Sequence, residues 1–172
     1  RGESGSKSYD NYNRGTYVDQ NGKERIRGAD REIDFSTLTV GQLLDQQALP
    51  HRDENRLFAI GRYQVIPDTM SGAVAALGLR RDEPFTDAIQ DRIFSDYLIT
   101  DKKPAIRNYI TGEPGATLHG AQLALSQEWA SVAHPTTGRS YYDKPGGANH
   151  ASITAQETQV ALDQMRVAYQ QA

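Results

Sequence analysis

The sequence predicts a mainly α-helical (α+β) fold: an irregular bundle of short helices with one small β-hairpin flap, and a cleft between them. An Asn21-Gly22 pair between two short alternating runs is typical of a hairpin. After residue 38, apolar residues recur at helical spacing in several short segments. The hydrophobic content of 37% is modest and fits a soluble protein with a wide polar groove. Such a groove suits an extended polymer.

The hairpin is expected to pair residues 16–19 with residues 23–26. Because side chains alternate across a strand, Tyr17 and Asp19 should share one face of the first strand. The polar, tyrosine-rich residues 1–14 are expected to form an irregular loop before it.

The helices are predicted from their start and stop signals. Capping boxes are predicted at Thr39 with Gln42 and at Thr154 with Glu157. Pro67 should start a helix that ends at Gly78, and Thr86 should cap the next helix. Asp101 and Pro104 should open a helix that ends at Gly112, and Thr117 should start one that reaches Val132. Loops of polar residues and glycine separate these segments, so the helices should be short and should pack irregularly.

Composition excludes several classes of protein. The chain has 172 residues, which we interpret as a single domain over residues 1–172. It has no cysteine, which excludes disulfides and thiolate chemistry, and its four histidines show no metal-binding spacing, so we expect no metal and no cofactor. A net charge of −3 without a basic tract argues against nucleic acid. No apolar run is long enough for a membrane span, residues 1–14 do not look like a signal peptide, and we expect a monomer.

The stretch from Gly61 to Met70 is the most informative in the chain. It follows the apolar run 57–60 and places Tyr63 and Gln64 just before a helix that starts at Pro67. A strand-to-helix corner of this kind can present hydrogen-bonding groups to a sugar. On this pattern alone, an ordinary loop leading into a helix is the preferred interpretation.

Glu3 is the candidate general acid. A carboxylic acid whose pKa is raised in a partly apolar pocket can protonate the leaving oxygen of a glycosidic bond. The neighbours of Glu3 are Gly2, Ser4 and Gly5, which are small and leave room for a substrate. Considered alone, a glutamate in such a position is usually a solvated charge.

Three segments resemble the lysozyme-like superfamily. Glu3-Ser4-Gly5 resembles the E-S-x element of lytic transglycosylases, and residues 61–69 resemble their G-L-M-Q-hydrophobic-x-P-x-T element. The second element matches at Gly61, Gln64, Val65, Pro67 and Thr69. It departs at Arg62 and Tyr63, where the family has Leu and Met. Residues 123–132 and 138–142 look like the C-terminal part of muramidase domains in phage lysins and type VI secretion effectors.

The resemblance implies a lysozyme-like fold and cleavage of the β-1,4 bond between N-acetylmuramic acid and N-acetylglucosamine in peptidoglycan. By the resemblance, Glu3 is the general acid, and Tyr63 and Gln64 line the groove and orient the sugar. The chain would be the C-terminal part of a longer protein, delivered by a phage or a secretion system to the bacterial periplasm and cell wall. An inhibitor or immunity protein would be a further partner.

The second carboxylate stays open between Asp10, Asp19 and Asp30. Retaining and inverting glycosidases need such a group, as nucleophile or as base for water. Phage-type lysozymes place an Asp nine residues after the Glu, where this chain has Tyr12. A lytic transglycosylase needs no second carboxylate, because the C6 hydroxyl of the substrate attacks. Both chemistries therefore remain candidates.

Further candidate residues lie along the rest of the chain. Asn13 and Tyr141 are expected to contact substrate, Tyr141 by stacking on a sugar face. Glu128 beside Trp129 is a rival acid, but we expect a solvated Glu128 next to a buried Trp129. A non-catalytic peptidoglycan-binding module and a chitinase-type specificity are the alternative functions.

Overall fold

The structure is a computed structural model that describes residues 8–172, and this part of the chain is mainly helical with a two-stranded antiparallel sheet. The strands are β1 (Asn13–Val18) and β2 (Glu24–Gly28). The α-helices are α1 (Val40–Gln47), α2 (Pro67–Leu77), α3 (Asp87–Ile93), α4 (Pro104–Thr111), α5 (Leu118–Glu128) and α6 (Ala155–Gln170), with a 3-10 turn at Phe35–Thr37 and a π-helix at Phe94–Lys102. The chain divides into two compact units between Tyr97 and Leu98. The single-domain interpretation stays a prediction.

The predicted hairpin is confirmed, but its strands differ from the expected ones. β1 starts at Asn13, inside the segment that we expected to be an irregular loop, and it ends at Val18. Asp19 therefore belongs to the turn and shares no strand face with Tyr17, contrary to the prediction. The Gly22 N–H donates to the Asp19 carbonyl at 3.0 Å, and Gly22 adopts a positive φ of 76°. This is a three-residue hairpin loop with glycine in the left-handed position.

The helix starts predicted from the capping boxes and from Pro67 are confirmed. Both capping boxes form: Thr39 and Gln42 at α1, and Thr154 and Glu157 at α6. Each box satisfies two N–H groups that the first helical turn would otherwise leave without a partner. Pro67 is the first residue of α2, and the helix ends at a left-handed glycine as predicted.

Two helix boundaries in the second unit were predicted wrongly. Asp101 lies inside the π-helix, and Lys103 precedes α4 without a side-chain cap. The helix expected to reach Val132 ends at Glu128, because the chain beyond it pairs elsewhere: the Ser131 carbonyl accepts N–H groups of Ser152 and Ile153 at 2.9 and 3.0 Å. Tertiary pairing overrides helical propensity there.

In the first unit, the core centres on Phe35, whose side chain is fully buried. Its ring meets the rings of Tyr12 and Phe85 edge to face, at centroid distances of 6.1 and 6.2 Å. The core thus joins the segment before the hairpin to the segment before α3.

In the second unit, α4 packs against α5 and α6. The Tyr109 hydroxyl donates to Asp163 at 2.7 Å, and Gln122 donates to the Ala155 carbonyl at 2.8 Å. These bonds join the three helices around the buried Ile106 and Leu162. Among residues 8–172, no helix combines the length and apolarity that crossing a membrane requires.

Candidate functional site

The segment before the hairpin runs beside the corner that precedes α2. The Gly61 N–H donates to the Asn11 carbonyl at 2.7 Å, and Asn13 exchanges backbone bonds with Phe58 and Ala59 at 2.9 and 3.0 Å. The apolar run 57–60 was expected to be a strand, but it forms only isolated bridges, in which Ile60 pairs with Tyr12 and Val65. The fold therefore brings the corner motif next to the residues that follow Glu3.

Gln64 lies at the tightest point of this corner. It is the one non-glycine residue with a positive φ in the described part of the chain, at 49°. Its side-chain Nε2 donates to the Gly61 carbonyl at 2.7 Å and to the Asn11 carbonyl at 3.2 Å. Strained backbone held by surrounding contacts is common at ligand sites. Through these two bonds, the Gln64 amide links the corner to the segment before the hairpin.

Gln90 on α3 holds the corner through hydrogen bonds of its side-chain amide, and it was not identified from the sequence. It is buried, its Oε1 accepts the Arg62 N–H at 3.0 Å, and its Nε2 donates to the Tyr9 carbonyl at 3.1 Å. A weak signal did exist: Gln90 shares a helical face with the buried Ile93 three residues later. An amide on an apolar face must find hydrogen-bond partners.

Asp91, next to Gln90, accepts hydrogen bonds from two tyrosine hydroxyls, and it was also not identified from the sequence. The Tyr9 hydroxyl lies 2.8 and 2.9 Å from its two carboxylate oxygens, and the Tyr63 hydroxyl donates to it at 2.8 Å. Arg62 in turn donates to the Tyr9 hydroxyl at 2.9 Å. Burial, and then the Asp91 carboxylate, raise the pKa of both tyrosines, so both hydroxyls stay protonated donors.

Gly61→Ala is expected to destabilise the protein more than Gly22→Ala does. Both glycines have a φ of 76°, so both variants carry the same backbone strain of roughly 1–2 kcal/mol. An added Cβ at Gly22 meets nothing within 4 Å, whereas at Gly61 it overlaps Gln90 Oε1, and two hydrogen bonds of the Gln90 amide, one at Oε1 and one at Nε2, hold that side chain in place. Overpacking adds about 1–3 kcal/mol. Urea unfolding of both variants measures the difference, and equal losses of stability would contradict this account of the corner.

A cleft of about 730 Å³ opens where these segments meet in the first unit. Its walls come from the segment before the hairpin, the connection after β2 and the corner. They are formed by Asp10, Asn11, Tyr12, Ala29, Arg31, Glu32, Ile33, Asp34, Arg62 and Gln64. Most of the residues that line the cleft are polar or charged, and it brings together Asp10 and Gln64, two of the residues predicted from the sequence.

Asp10 is a carboxylate with altered acidity in this cleft. Its Oδ1 accepts the Phe35 N–H at 3.1 Å. Partial burial raises the pKa of Asp10, and the nearby charges of Asp34 and Asp87 add to the rise, although the Phe35 bond opposes it. A perturbed carboxyl group in a cleft is a candidate acid or base.

Asp19 and Asp30 have a different environment and do not line the cleft. Asp19 accepts N–H groups of Lys23 and Asn21 and pairs with Arg25 at 3.0 Å, and these contacts lower its pKa. For Asp30, partial desolvation is the largest single effect and opposes ionisation, but Arg14 at 3.3 Å, Arg31 and the hydrogen bonds to Asp30 together outweigh it, so the pKa is also lowered. Both carboxylates therefore have structural partners in the hairpin.

Tyr63 and Asn13 lie beside the cleft and are not among its lining residues. The Tyr63 ring stacks on Phe94 with a centroid distance of 4.5 Å and an interplanar angle of 10°. Asn13 uses its side-chain oxygen to accept the Gly15 N–H at 3.0 Å. Their roles as substrate-binding residues stay predictions.

The second unit holds the remaining candidates. Tyr141 is 47% exposed and stacks on His134 with an interplanar angle of 14°. The expectation of a solvated Glu128 was wrong: its side chain is 8% exposed and pairs with Lys102 at 2.9 Å. Trp129 is only partly buried, since the helix ends there and its backbone becomes extended. A buried charge is tolerated because it is paired.

Glu3 lies outside the described residues. Within residues 8–172, no group of three or more His, Asp or Glu side chains is placed to hold a metal ion. Comparisons of the chain with protein-family models, with curated proteins and with solved structures found no match. The interpretation of the site therefore rests on the motifs and on the geometry described above.

Proposed function

We propose that this chain is a peptidoglycan-cleaving glycosidase of lysozyme-like fold, which hydrolyses the β-1,4 bond between N-acetylmuramic acid and N-acetylglucosamine. The observation that carries the proposal is the polar cleft that joins Asp10, from the segment after Glu3, to Gln64 of the corner motif. Asp10 follows Glu3 by seven residues and lies 54 residues before Gln64 in the sequence, so the cleft joins two distant parts of the chain, as a common site requires. The resemblance of both motifs to the lysozyme-like superfamily supplies the chemistry.

In this proposal, Glu3 protonates the leaving oxygen, and Asp10 is the second carboxylate, as nucleophile or as base for water. Asp10 is preferred over Asp19 and Asp30 because it lines the cleft and, within residues 8–172, pairs with no cation. A raised pKa makes the Asp10 carboxylate a stronger base than an ordinary aspartate. Gln64, held by two backbone carbonyls, keeps the corner in place beside the sugar.

The test is incubation of the purified protein with purified bacterial cell walls, followed by turbidity and by mass analysis of the released fragments. Hydrolysis gives fragments with reducing ends. Anhydro ends, which lack one water, would show that the chain is a lytic transglycosylase using the same Glu3, and Asp10 would then be dispensable. Binding to walls without any fragment release would contradict the enzyme and favour a non-catalytic peptidoglycan-binding module. Cleavage of chitin oligomers alone would contradict the proposed substrate.

The place of action follows from the proposed substrate. Peptidoglycan lies in the bacterial periplasm and cell wall, so the chain acts there after delivery by a secretion system or a phage. An enzyme delivered against bacteria also needs an inhibitor or immunity protein in the cell that produces it. We propose the peptidoglycan strand as substrate and such a protein as partner.

A further inference from the structure

Arg62 is an unusual cation in the cleft of the first unit. Its side chain is exposed and lines the cleft, and it forms no ion pair with any of residues 8–172. The other arginine of the cleft, Arg31, is paired with Asp30 at 3.2 Å. Arg62 is also where the sequence departs from the lysozyme-like motif, which has leucine at this position. A binding role of Arg62 is therefore specific to this chain and is not implied by the resemblance.

The guanidinium of Arg62 is held in place without being neutralised by direct pairing. It lies 5.1 Å from the centre of the Tyr9 ring and 5.8 Å from that of Tyr63, which are cation–π distances. One of its nitrogens donates to the Tyr9 hydroxyl, which Asp91 fixes in turn. The guanidinium makes no other hydrogen bond to residues 8–172, so several of its five N–H donors are available to a ligand.

The acidic side chains around Arg62 limit which ligand groups can bind in the cleft. Three acidic side chains, Asp10, Glu32 and Asp34, line the same cleft and would repel an anionic group. Binding of a ligand carboxylate in this cleft is therefore favourable only next to a cation that offsets the repulsion. A planar guanidinium forms two parallel hydrogen bonds with a carboxylate, which adds geometric specificity.

We propose that Arg62 binds a carboxylate of the substrate beside the cleavage site, and that it thereby selects acid-substituted glycans over neutral ones. This inference rests on the proposed function. The carboxylate is either the lactyl group of muramic acid, which is free only where no peptide is attached, or a carboxylate of the attached peptide. Tyr9, Tyr63 and Asp91 act as positioning residues, since they hold the guanidinium and have no direct role towards the ligand in this proposal.

The test combines two substrates with two proteins. Arg62→Gln is expected to raise the KM for glycan strands on the order of tenfold, because a charge-assisted pair is lost. Amidation of the substrate carboxylates should raise the KM of the wild type by a similar factor and leave the KM of Arg62→Gln unchanged. Arg52→Gln is the matched control, since Arg52 is exposed and does not line the cleft. Its KM should equal that of the wild type.

Two further arms identify the carboxylate and protect the test against misfolding. Removal of the peptide frees the lactyl carboxylate from its amide bond, so the Arg62 effect appears or grows on stripped strands if the lactyl carboxylate is the ligand, and disappears on them if the peptide supplies the ligand. Tyr9→Phe leaves the charge intact but removes one support of the guanidinium, and should raise the KM less than Arg62→Gln does. Equal sensitivity of wild type and Arg62→Gln to amidation, in proteins that both cleave strands, overturns the inference alone. Absence of cleavage by the wild type overturns the proposed function instead.

Discussion

Replacing Glu3 with glutamine is expected to reduce the rate of cell-wall cleavage by a factor of about 10² to 10⁴. Glutamine has nearly the same size and keeps hydrogen-bonding capacity, but it cannot donate a proton to the leaving oxygen. The loss should appear in kcat, since the proton is transferred only in the transition state, whereas KM should change little. Turbidity of purified walls and release of reducing ends measure both constants.

The matched control for this variant is Glu54→Gln, because Glu54 is an exposed glutamate that does not line the cleft. It removes the same charge and should cleave walls at the wild-type rate. Both variants should retain the wild-type unfolding temperature, which shows that any loss of activity is chemical. Undiminished cleavage by Glu3→Gln would remove Glu3 from the mechanism, and the acid would then have to be sought among the carboxylates that line the cleft.

Asp10→Asn is expected to reduce hydrolysis by a factor on the order of 10², because the second carboxylate acts as nucleophile or base. The asparagine oxygen can still accept the Phe35 N–H, so the local fold should survive. The acid side of the activity profile of the wild type should lie at higher pH than an ordinary aspartate would give, since the pKa of Asp10 is raised. Asp82→Asn is the control, because Asp82 is exposed and does not line the cleft.

Relative to the wild type, Asp10→Asn should become more stable as the pH rises. The folded protein raises the pKa of Asp10 above its ordinary value of 3.8, so folding disfavours the ionised form. Below that value Asp10 is neutral in both states. As the pH rises from there through the folded-state pKa, the wild type loses stability and Asp10→Asn does not. Urea unfolding from pH 3 to 7 should therefore show a growing advantage of the variant. A pH-independent difference would contradict the burial effect.

The helices were predictable where their signals are local. A Thr with a Gln or Glu three residues later satisfies two N–H groups within one turn, so the starts of α1 and α6 depend on neighbouring residues alone. The ends of α5 and the π-helix were not predictable in this way, because pairing with distant residues and widening of the helix decide them.

The candidate site shows the same division. Gln64 and Asp10 were identified from their types and neighbours, but their meeting in one cleft depends on bonds between residues 11–13 and 58–61. Asp19 and Asp10 were equivalent candidates in the sequence. Only the fold distinguishes them, since Asp19 is paired with Arg25 in the hairpin turn and Asp10 is partly buried in the cleft.

By itself, the sequence determined the mainly helical character, the hairpin and the helix caps, because each of these depends on contacts between residues close together in the chain. The tertiary structure decided which polar groups act together. Gln90 and Asp91 support Arg62 and Tyr63 across almost thirty residues, and Tyr9 across more than eighty. The physical reason is that hydrogen bonding, burial and charge pairing depend on spatial distance. They therefore determine how acidic Asp10 is and whether Arg62 is left available to a ligand.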